Sequence, residues 1–233
     1  MVERTGDSSV CRVAGEDCRY QSELLQLRQE VEQLTEQART DALTGLFNFR
    51  HFNETLNHEM ERVRRSGQPL ALVIGDIDHF KRFNDTHGHE MGNRLLQSVA
   101  GTVDRQLRKL DIACRYGGEE FAVILPGTPL GQASKVAERI RAAVESLMLG
   151  DEAGQPLQVT MSLGVAGFVA SQTCTPSRLI DAADAELYSA KAAGRNRVST
   201  AREKLTADQS VTNEEKSALF ALLRDDDSQT NRE

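Results

Sequence analysis

Arg115-Tyr116-Gly117-Gly118-Glu119-Glu120-Phe121 lies between two apolar stretches, Leu110–Cys114 and Phe121–Leu125. An apolar run, a glycine pair and a second apolar run read as a β-hairpin. Adjacent glycines are expected to supply the positive φ that a two-residue loop needs, and they leave bare backbone where a ligand can approach without meeting a Cβ. Two glutamates follow at once, and a glycine turn carrying paired carboxylates is suited to holding a metal ion against a phosphate.

Upstream of the hairpin, Leu70-Ala71-Leu72-Val73-Ile74 is apolar without alternation, the pattern of a strand buried on both faces in the middle of a sheet. It ends in Gly75-Asp76-Ile77-Asp78. From His79 to Asp85 the chain is aromatic, basic and polar, and Gly88 and Gly92 are expected to flank the start of a helix carrying Leu95, Leu96, Val99 and Val103. Helical spacing also covers Phe49–Arg65, with Phe52, Leu56, Met60 and Val63 on one face and Ser66-Gly67-Gln68-Pro69 as the stop. Two further helices are expected over Gln132–Met148 and Pro176–Ala193. Val159–Val169 reads as a strand whose Gly164 and Gly167 imply a bend or a close backbone contact. Gly194-Arg195-Asn196-Arg197-Val198 leads into a last short strand. Strands separated by helices, with one hairpin among them, give an α/β sandwich: a mixed sheet with helices on both faces.

Before this body, Tyr20, Leu24, Leu27, Val31, Leu34 and Ala38 follow alternating steps of four and three, with Gln, Glu and Arg between them. That is a coiled-coil seam, expected to pair two copies in parallel; one amphipathic helix packed on its own domain is the alternative. The seam is under three heptads long, so it is marginal without help from the body it joins. Thr40-Asp41-Ala42-Leu43-Thr44-Gly45-Leu46 offers caps and a turn, and forms the joint. The expected organisation is a flexible N-terminus over 1–18, a dimerisation helix over 19–40, a catalytic domain over 41–200 and an acidic, mobile tail over 201–233.

The 233 residues, 39% of them hydrophobic, suffice for one enzyme-sized core. A net charge of −7 argues against nucleic acid or an anionic membrane as partner. From Glu203 to Glu233 there are eight carboxylates against four Lys and Arg, so the tail carries much of that excess. No apolar run reaches the roughly 18 residues of a membrane span, and Met1-Val2-Glu3-Arg4 lacks a signal core, so a cytoplasmic protein is expected. Cys11, Cys18, Cys114 and Cys174 match no zinc spacing and fit ordinary thiols; a Cys11–Cys18 disulfide stays open.

In an open α/β sheet, ligands bind off the strand ends. If the strand ending in Asp76 neighbours the hairpin, Asp76 and Glu119 converge on one hard cation, with Lys81, Lys191 and Arg195 available to neutralise a triphosphate. Four-residue spacing is expected to place Lys191 and Arg195 on one side of a helix end. The plainer reading makes Asp76 a cap and the glutamates solvated turn residues.

Taken together, Asp76-Ile77-Asp78-His79-Phe80-Lys81-Arg82-Phe83-Asn84-Asp85, Gly88-His89, Gly117-Gly118-Glu119-Glu120-Phe121 and Ala190-Lys191-Ala192-Ala193-Gly194-Arg195-Asn196-Arg197 closely resemble the GGDEF-domain diguanylate cyclases, over about Asp41 to Val198. The resemblance implies a cyclase-palm fold and condensation of two GTP into cyclic di-GMP with loss of two pyrophosphates. By position it implies that Asp76, the Ile77 carbonyl and Glu119 hold Mg²⁺ or Mn²⁺, that Glu119 is the base for the 3′-hydroxyl, and that Glu120 helps with a second metal or orients the site. Backbone amides near His79 and Phe80, with Lys81, Lys191 and Arg195, would clamp phosphates, while Asn84 and His89 would meet base and sugar. One domain holds one GTP, so two must meet face to face, and the seam raises their local concentration. Arg108-Lys109-Leu110-Asp111 stands where the family has its inhibitory product site, with Arg139 as a further contact; alone, such a pattern is commonly a surface ion pair. A regulatory protein at the N-terminal helix is a further expected partner.

Two positions depart from the family. Phe49 stands where arginine is common, which weakens an inter-domain salt bridge there. Asn93 replaces an aspartate that accepts from guanine; its amide pairs one acceptor with one donor, so relaxed base choice is one alternative. A non-catalytic receptor for cyclic di-GMP is the other, although a binding module has no need of the full carboxylate set.

Overall fold

The computed structural model describes residues 23–31, 39–150 and 156–201. Residues 23–31 form a helix, α1. The body then runs α2 (Phe49–Ser66), β1 (Leu70–Ile77), α3 (Phe80–Arg105), β2 (Ile112–Gly117), β3 (Glu120–Pro126), α4 (Leu130–Glu145), β4 (Leu149–Gly150), β5 (Pro156–Leu157), β6 (Met161–Phe168), α5 (Pro176–Ala192) and β7 (Val198–Thr200). The main sheet has the order β2-β3-β1-β6-β7. Its pairs are antiparallel except β6 with β7, which are parallel, so the sheet is mixed. The β4–β5 ladder, a separate two-stranded piece, carries too little hydrophobic alternation to be read from sequence.

β1 is central and buried along its whole length, as its unbroken apolar run requires. Successive side chains point to opposite faces. Ala71 and Val73 enter a core with Leu95 and Val99 of α3 and Ala133 and Ile140 of α4. Leu70, Leu72 and Ile74 enter a second core with Phe52 and Leu56 of α2 and Leu179 and Leu187 of α5. The close contact expected at Gly164 is present: a Cβ there would stand 2.1 Å from the Ala183 carbonyl oxygen and 2.2 Å from the Leu187 nitrogen. The backbone of α5 therefore rests directly on β6.

Helix ends follow local chemistry. The Asn48 side chain accepts from the His51 N–H at 3.0 Å to start α2, and Gly67, at φ 71°, ends it. Thr175 caps α5.

Three expectations are corrected. Neither Gly117 nor Gly118 has a positive φ, the described glycines of that kind being Gly45, Gly67, Gly88, Gly127 and Gly194. The hairpin closes instead through a bulge at Tyr116, because Arg115 pairs with Phe121 while Gly117 already pairs with Glu120. Helix α3 begins at Phe80, not near Gly88; Gly88 (φ 81°, ψ 162°) is a kink inside it. Lys191 and Arg195 do not share a helical side, since α5 ends at Ala192 and Arg195 lies past the cap at φ 63°. Smaller shifts place α4 over Leu130–Glu145 rather than Gln132–Met148.

In α1, Leu24, Leu27 and Val31 are 56%, 51% and 62% exposed, so the described part of the seam is not buried on its own domain. Tyr20, Leu34, Ala38, Cys11, Cys18, the N-terminal 1–18 segment and the tail beyond Ala201 lie outside the described residues. Cys114 and Cys174 are free thiols.

Candidate active site

The ends of β1 and β3 meet as the sequence reading required. Asp76 is the register partner of Glu120, and the Ile77 N–H donates to the Glu119 carbonyl at 3.3 Å. The glycine pair matters here through space rather than φ. A Cβ at Gly117 would stand 3.1 Å from Glu120 Oε2, and a Cβ at Gly118 would meet nothing within 4 Å, so the tip of the hairpin is open to an approaching ligand. Arg115 fixes that tip from behind: Nε and Nη2 donate to the Gly118 carbonyl at 3.0 and 2.9 Å, while Nη1 reaches both carboxylate oxygens of Asp41 at 3.2 Å. Tyr116 packs edge-on against Phe49 and Phe52, with ring centroids 5.1 and 5.2 Å away. The aromatic ring at Phe49 thus joins the hairpin to α2 by packing, where an arginine would bring charge.

The strand end is strongly acidic, and a lysine answers it. Lys191 Nζ lies 2.9 Å from Asp76 Oδ2. Burial lifts the Asp76 carboxyl above its ordinary value, Lys191 pulls it back, and the charges of Glu119 and Asp78 add to the rise. Burial also lifts Glu120, with Asp76 the next cause. Accumulated carboxylate charge at a strand end, drawing a cation to itself, fits an oxygen-binding divalent ion such as Mg²⁺ or Mn²⁺. Among the described residues no three His, Cys, Asp or Glu side chains form a metal-holding group. Asp76 and Glu119, close enough for the charge of one to raise the other, are carboxylates that could contribute to holding such an ion. Lys191, expected on a phosphate, is instead paired with Asp76.

Two residues further on, Asp78 has a structural role that sequence reasoning missed. Its Oδ1 accepts from the Ser162 hydroxyl at 2.7 Å, and Oδ2 accepts from the Thr160 hydroxyl at 2.7 Å and the Asn196 N–H at 3.0 Å. This buried carboxylate is hydrogen-bonded through both oxygens and ties the β1 end to β6 and to the turn after α5. That turn has three positive φ values in succession, at Gly194, Arg195 and Asn196. The two non-glycine members cost about 1–3 kcal/mol each unless their surroundings hold them. Glycine and asparagine tolerate left-handed backbone better than most residues, so Arg195 is the member of the turn that its residue type does not favour there.

Arg141 and Glu145 of α4 hold Asn196 from the other side. Arg141 Nη1 donates to Asn196 Oδ1 at 2.8 Å, and Asn196 Nδ2 donates to Glu145 Oε1 at 2.7 Å. Arg141 also pairs with Glu138 and Glu145, each at 2.7 Å.

The start of α3 faces the same end of the sheet. His79, at φ 60°, precedes the helix without a side-chain cap bond, so the first N–H groups of α3 have no partner from the helix itself. Such a terminus suits an anion. Asn84 Oδ1 is buried without a hydrogen-bond partner, and a Cβ on Gly92 would stand 1.8 Å from it, so glycine at 92 is what lets the Asn84 amide sit there. Lys81, His89, Asn93 and Arg195 are exposed.

Arg108, Asp111 and Arg139 are not part of this cluster; they gather at the other end of α3. Asp111 Oδ2 accepts from the Arg108 backbone N–H at 2.9 Å, a bond back to the chain three residues earlier rather than an ion pair with the Arg108 guanidinium. Arg139 donates to the Gln106 carbonyl in the turn that follows α3.

Comparison with known proteins agrees with this fold. The family model "Diguanylate cyclase, GGDEF domain" matches residues 38–197. The chain is 40% identical over 171 residues to the diguanylate cyclase DgcP of Pseudomonas aeruginosa, covering 73% of this chain and 25% of that protein. Among solved structures, the coiled coil and GGDEF domain of DgcB from Caulobacter crescentus, in complex with c-di-GMP, superposes with a TM-score of 0.74 at 35% identity, covering 78% of this chain and 95% of that one. Diguanylate cyclase SiaD in complex with its activator SiaC, from Pseudomonas aeruginosa, gives 0.69 at 38% identity, covering 78% and 70%. The chain thus spans about a quarter of the length of the curated relative DgcP. With its mixed sheet between two helical layers, its strand-end carboxylates beside a Gly-Gly-Glu-Glu hairpin and a family model matched over most of its length, this chain belongs to the GGDEF-domain diguanylate cyclase family.

Proposed function

We propose that the chain is a diguanylate cyclase that condenses two GTP into cyclic di-GMP and two pyrophosphates, acting as a pair of domains brought together through the N-terminal helix. The observation that carries this reading is the register of Asp76 against Glu120, which sets the Glu119 carbonyl on the Ile77 amide beside the uncapped start of α3. Glu119 accepts the proton of the 3′-hydroxyl, and Glu120, raised by burial and by Asp76, orients the site or helps with a second ion. Asp76, the Ile77 carbonyl and Glu119 hold Mg²⁺ or Mn²⁺, which supplies charge neutralisation at the phosphates. The amides of His79 and Phe80, with Lys81 and Arg195, bind the triphosphate; Lys191 joins them by exchanging its Asp76 partner for phosphate oxygen. Asn84, His89 and Asn93 read base and sugar.

Product binds at Arg108, Asp111 and Arg139. The use of the Asp111 carboxylate on backbone supports this role, because the Arg108 guanidinium is then left to fork onto a phosphate or guanine edge. The outward-facing residues of α1 support pairing of two copies or recruitment of a regulatory protein, the latter in keeping with the activator complex of SiaD.

The test is chromatographic identification of products from mixed GTP and ATP with Mg²⁺, at several protein concentrations. Cyclic di-GMP should form, rise steeply with protein concentration, and vanish in Glu119→Ala with an unchanged melting curve. A dimer that yields no cyclic dinucleotide, while binding cyclic di-GMP, would establish a receptor instead. Adenine-containing product that disappears in Asn93→Asp would establish relaxed base choice.

A further inference from the structure

The exposed Arg195 stands on left-handed backbone that local bonds, including one from Arg197 Nε to the Arg195 carbonyl at 3.1 Å, hold only in part. Gly194, Arg195 and Asn196 have φ values of 112°, 63° and 47°, and only the first is a glycine. The bonds from α5 itself are the Gly194 N–H to the Lys191 carbonyl at 3.3 Å and the Arg195 N–H to the Ala190 carbonyl at 3.0 Å. What fixes Asn196 comes from elsewhere in the chain. Its N–H goes to Asp78 at the end of β1, its Oδ1 accepts from Arg141, and its Nδ2 donates to Glu145. Arg141 is the centre of this grip: its side chain is only 15% exposed, and it links two carboxylates of its own helix to a residue 55 positions away.

We propose that Arg141 is a positioning residue for substrate phosphate: by holding Asn196 against Asp78 it keeps the Gly194-Arg195-Asn196 turn in its left-handed form and so sets where the Arg195 guanidinium stands relative to the strand end bearing Asp76. The inference rests on the phosphate role of Arg195 given above. Arg141 need touch no substrate; a brace that only stabilised the fold would show no energetic coupling to Arg195 in substrate binding. A brace acting through Arg195 would lose its effect once Arg195 is removed.

The experiment uses the full chain and the variants Arg141→Gln, Arg141→Lys, Glu145→Gln, Arg195→Ala and the Arg141→Gln/Arg195→Ala pair. Their melting curves, kcat, KM for GTP and affinity for a non-hydrolysable GTP analogue are measured. Arg141→Gln is expected to raise KM and the analogue's dissociation constant about tenfold with little change in kcat, as loss of uniform binding does. Arg141→Lys should recover part of that loss, and the double variant should be no weaker than Arg195→Ala alone. Glu145→Gln, at the exposed rim, should give a smaller, equally non-additive effect, and it carries the test if Arg141→Gln does not fold. An impaired Arg195→Ala combined with a silent Arg141→Gln, or with losses that multiply in the double variant, overturns the inference and leaves the phosphate role intact. A silent Arg195→Ala overturns that role and the inference with it.

Discussion

Asp41 shows how one side chain can connect the segment before α2 to the tip of the glycine hairpin. It accepts from the Thr44 N–H and hydroxyl at 2.9 and 2.7 Å and from the Arg115 guanidinium, whose other nitrogens hold the Gly118 carbonyl. Burial alone would raise its carboxyl, but the two Thr44 bonds and Arg115 outweigh burial and leave it below the usual 3.8. A depressed folded-state value means that stability is present above the unfolded value and lost as pH falls through the folded one. Asp41→Asn should therefore cost about 2 kcal/mol at neutral pH, the scale of a hydrogen bond to a charged group. The difference from wild type should shrink once pH falls below about 3.8. Urea unfolding of both proteins from pH 7 to pH 3 measures it; a gap independent of pH would mean that the charge of Asp41 contributes nothing. Asp41, Asp78 and Arg115 act by where they bond, and the residue types alone do not signal partners 74 or 118 positions away.

At the scale of elements, the contact between α5 and β6 decides how closely one helical layer lies on the sheet. Gly164→Ala places a methyl 2.1 Å from a backbone oxygen that no rotamer change can move. It should destabilise by about 3 kcal/mol or more, at the upper end of overpacking costs. Gly118→Ala is the contrast, because its Cβ meets nothing within 4 Å and its φ is not positive. That variant should melt with wild type and lose activity only through crowding of the hairpin tip. Thermal melts of the pair, read with pyrophosphate release, separate packing from ligand access. The spacing of Phe52, Leu56, Met60 and Val63 made α2 legible, and the unbroken run of β1 made a central strand legible. The first two turns of α3 were not, because Phe80 to His87 mixes aromatic, basic and polar residues, and of these only Phe80 is buried in the core, with Phe83 packed against it.

For the whole molecule, the proposed reaction turns on two hairpins meeting. Among the described residues no helix is long and apolar enough to cross a membrane, and the apolar residues of α1 face outward. In the proposed pair, a short seam would give marginal association alone and would contribute through local concentration. Removing the residues before Asp41 should lower activity at micromolar protein by about a hundredfold or more, with less loss as concentration rises. Fusing an unrelated parallel zipper should restore it. Full activity of the truncated domain at high dilution would refute pairing through this helix, and a zipper that dimerises the domain without restoring turnover would point to a required regulatory protein.

The sequence by itself determined the layers, the central strand, the hairpin and the carboxylate set, because apolar periodicity, a glycine pair and acidic residues at strand ends are local signals. It did not determine how the site is held. Lys191 on Asp76, Asp78 gripping a turn 118 residues away, Arg141 on Asn196 and the bulge that replaced the expected glycine turn are long-range or register-dependent arrangements. Their partners are chosen by which strand ends and helix faces the fold brings together, and only packing in three dimensions makes that choice.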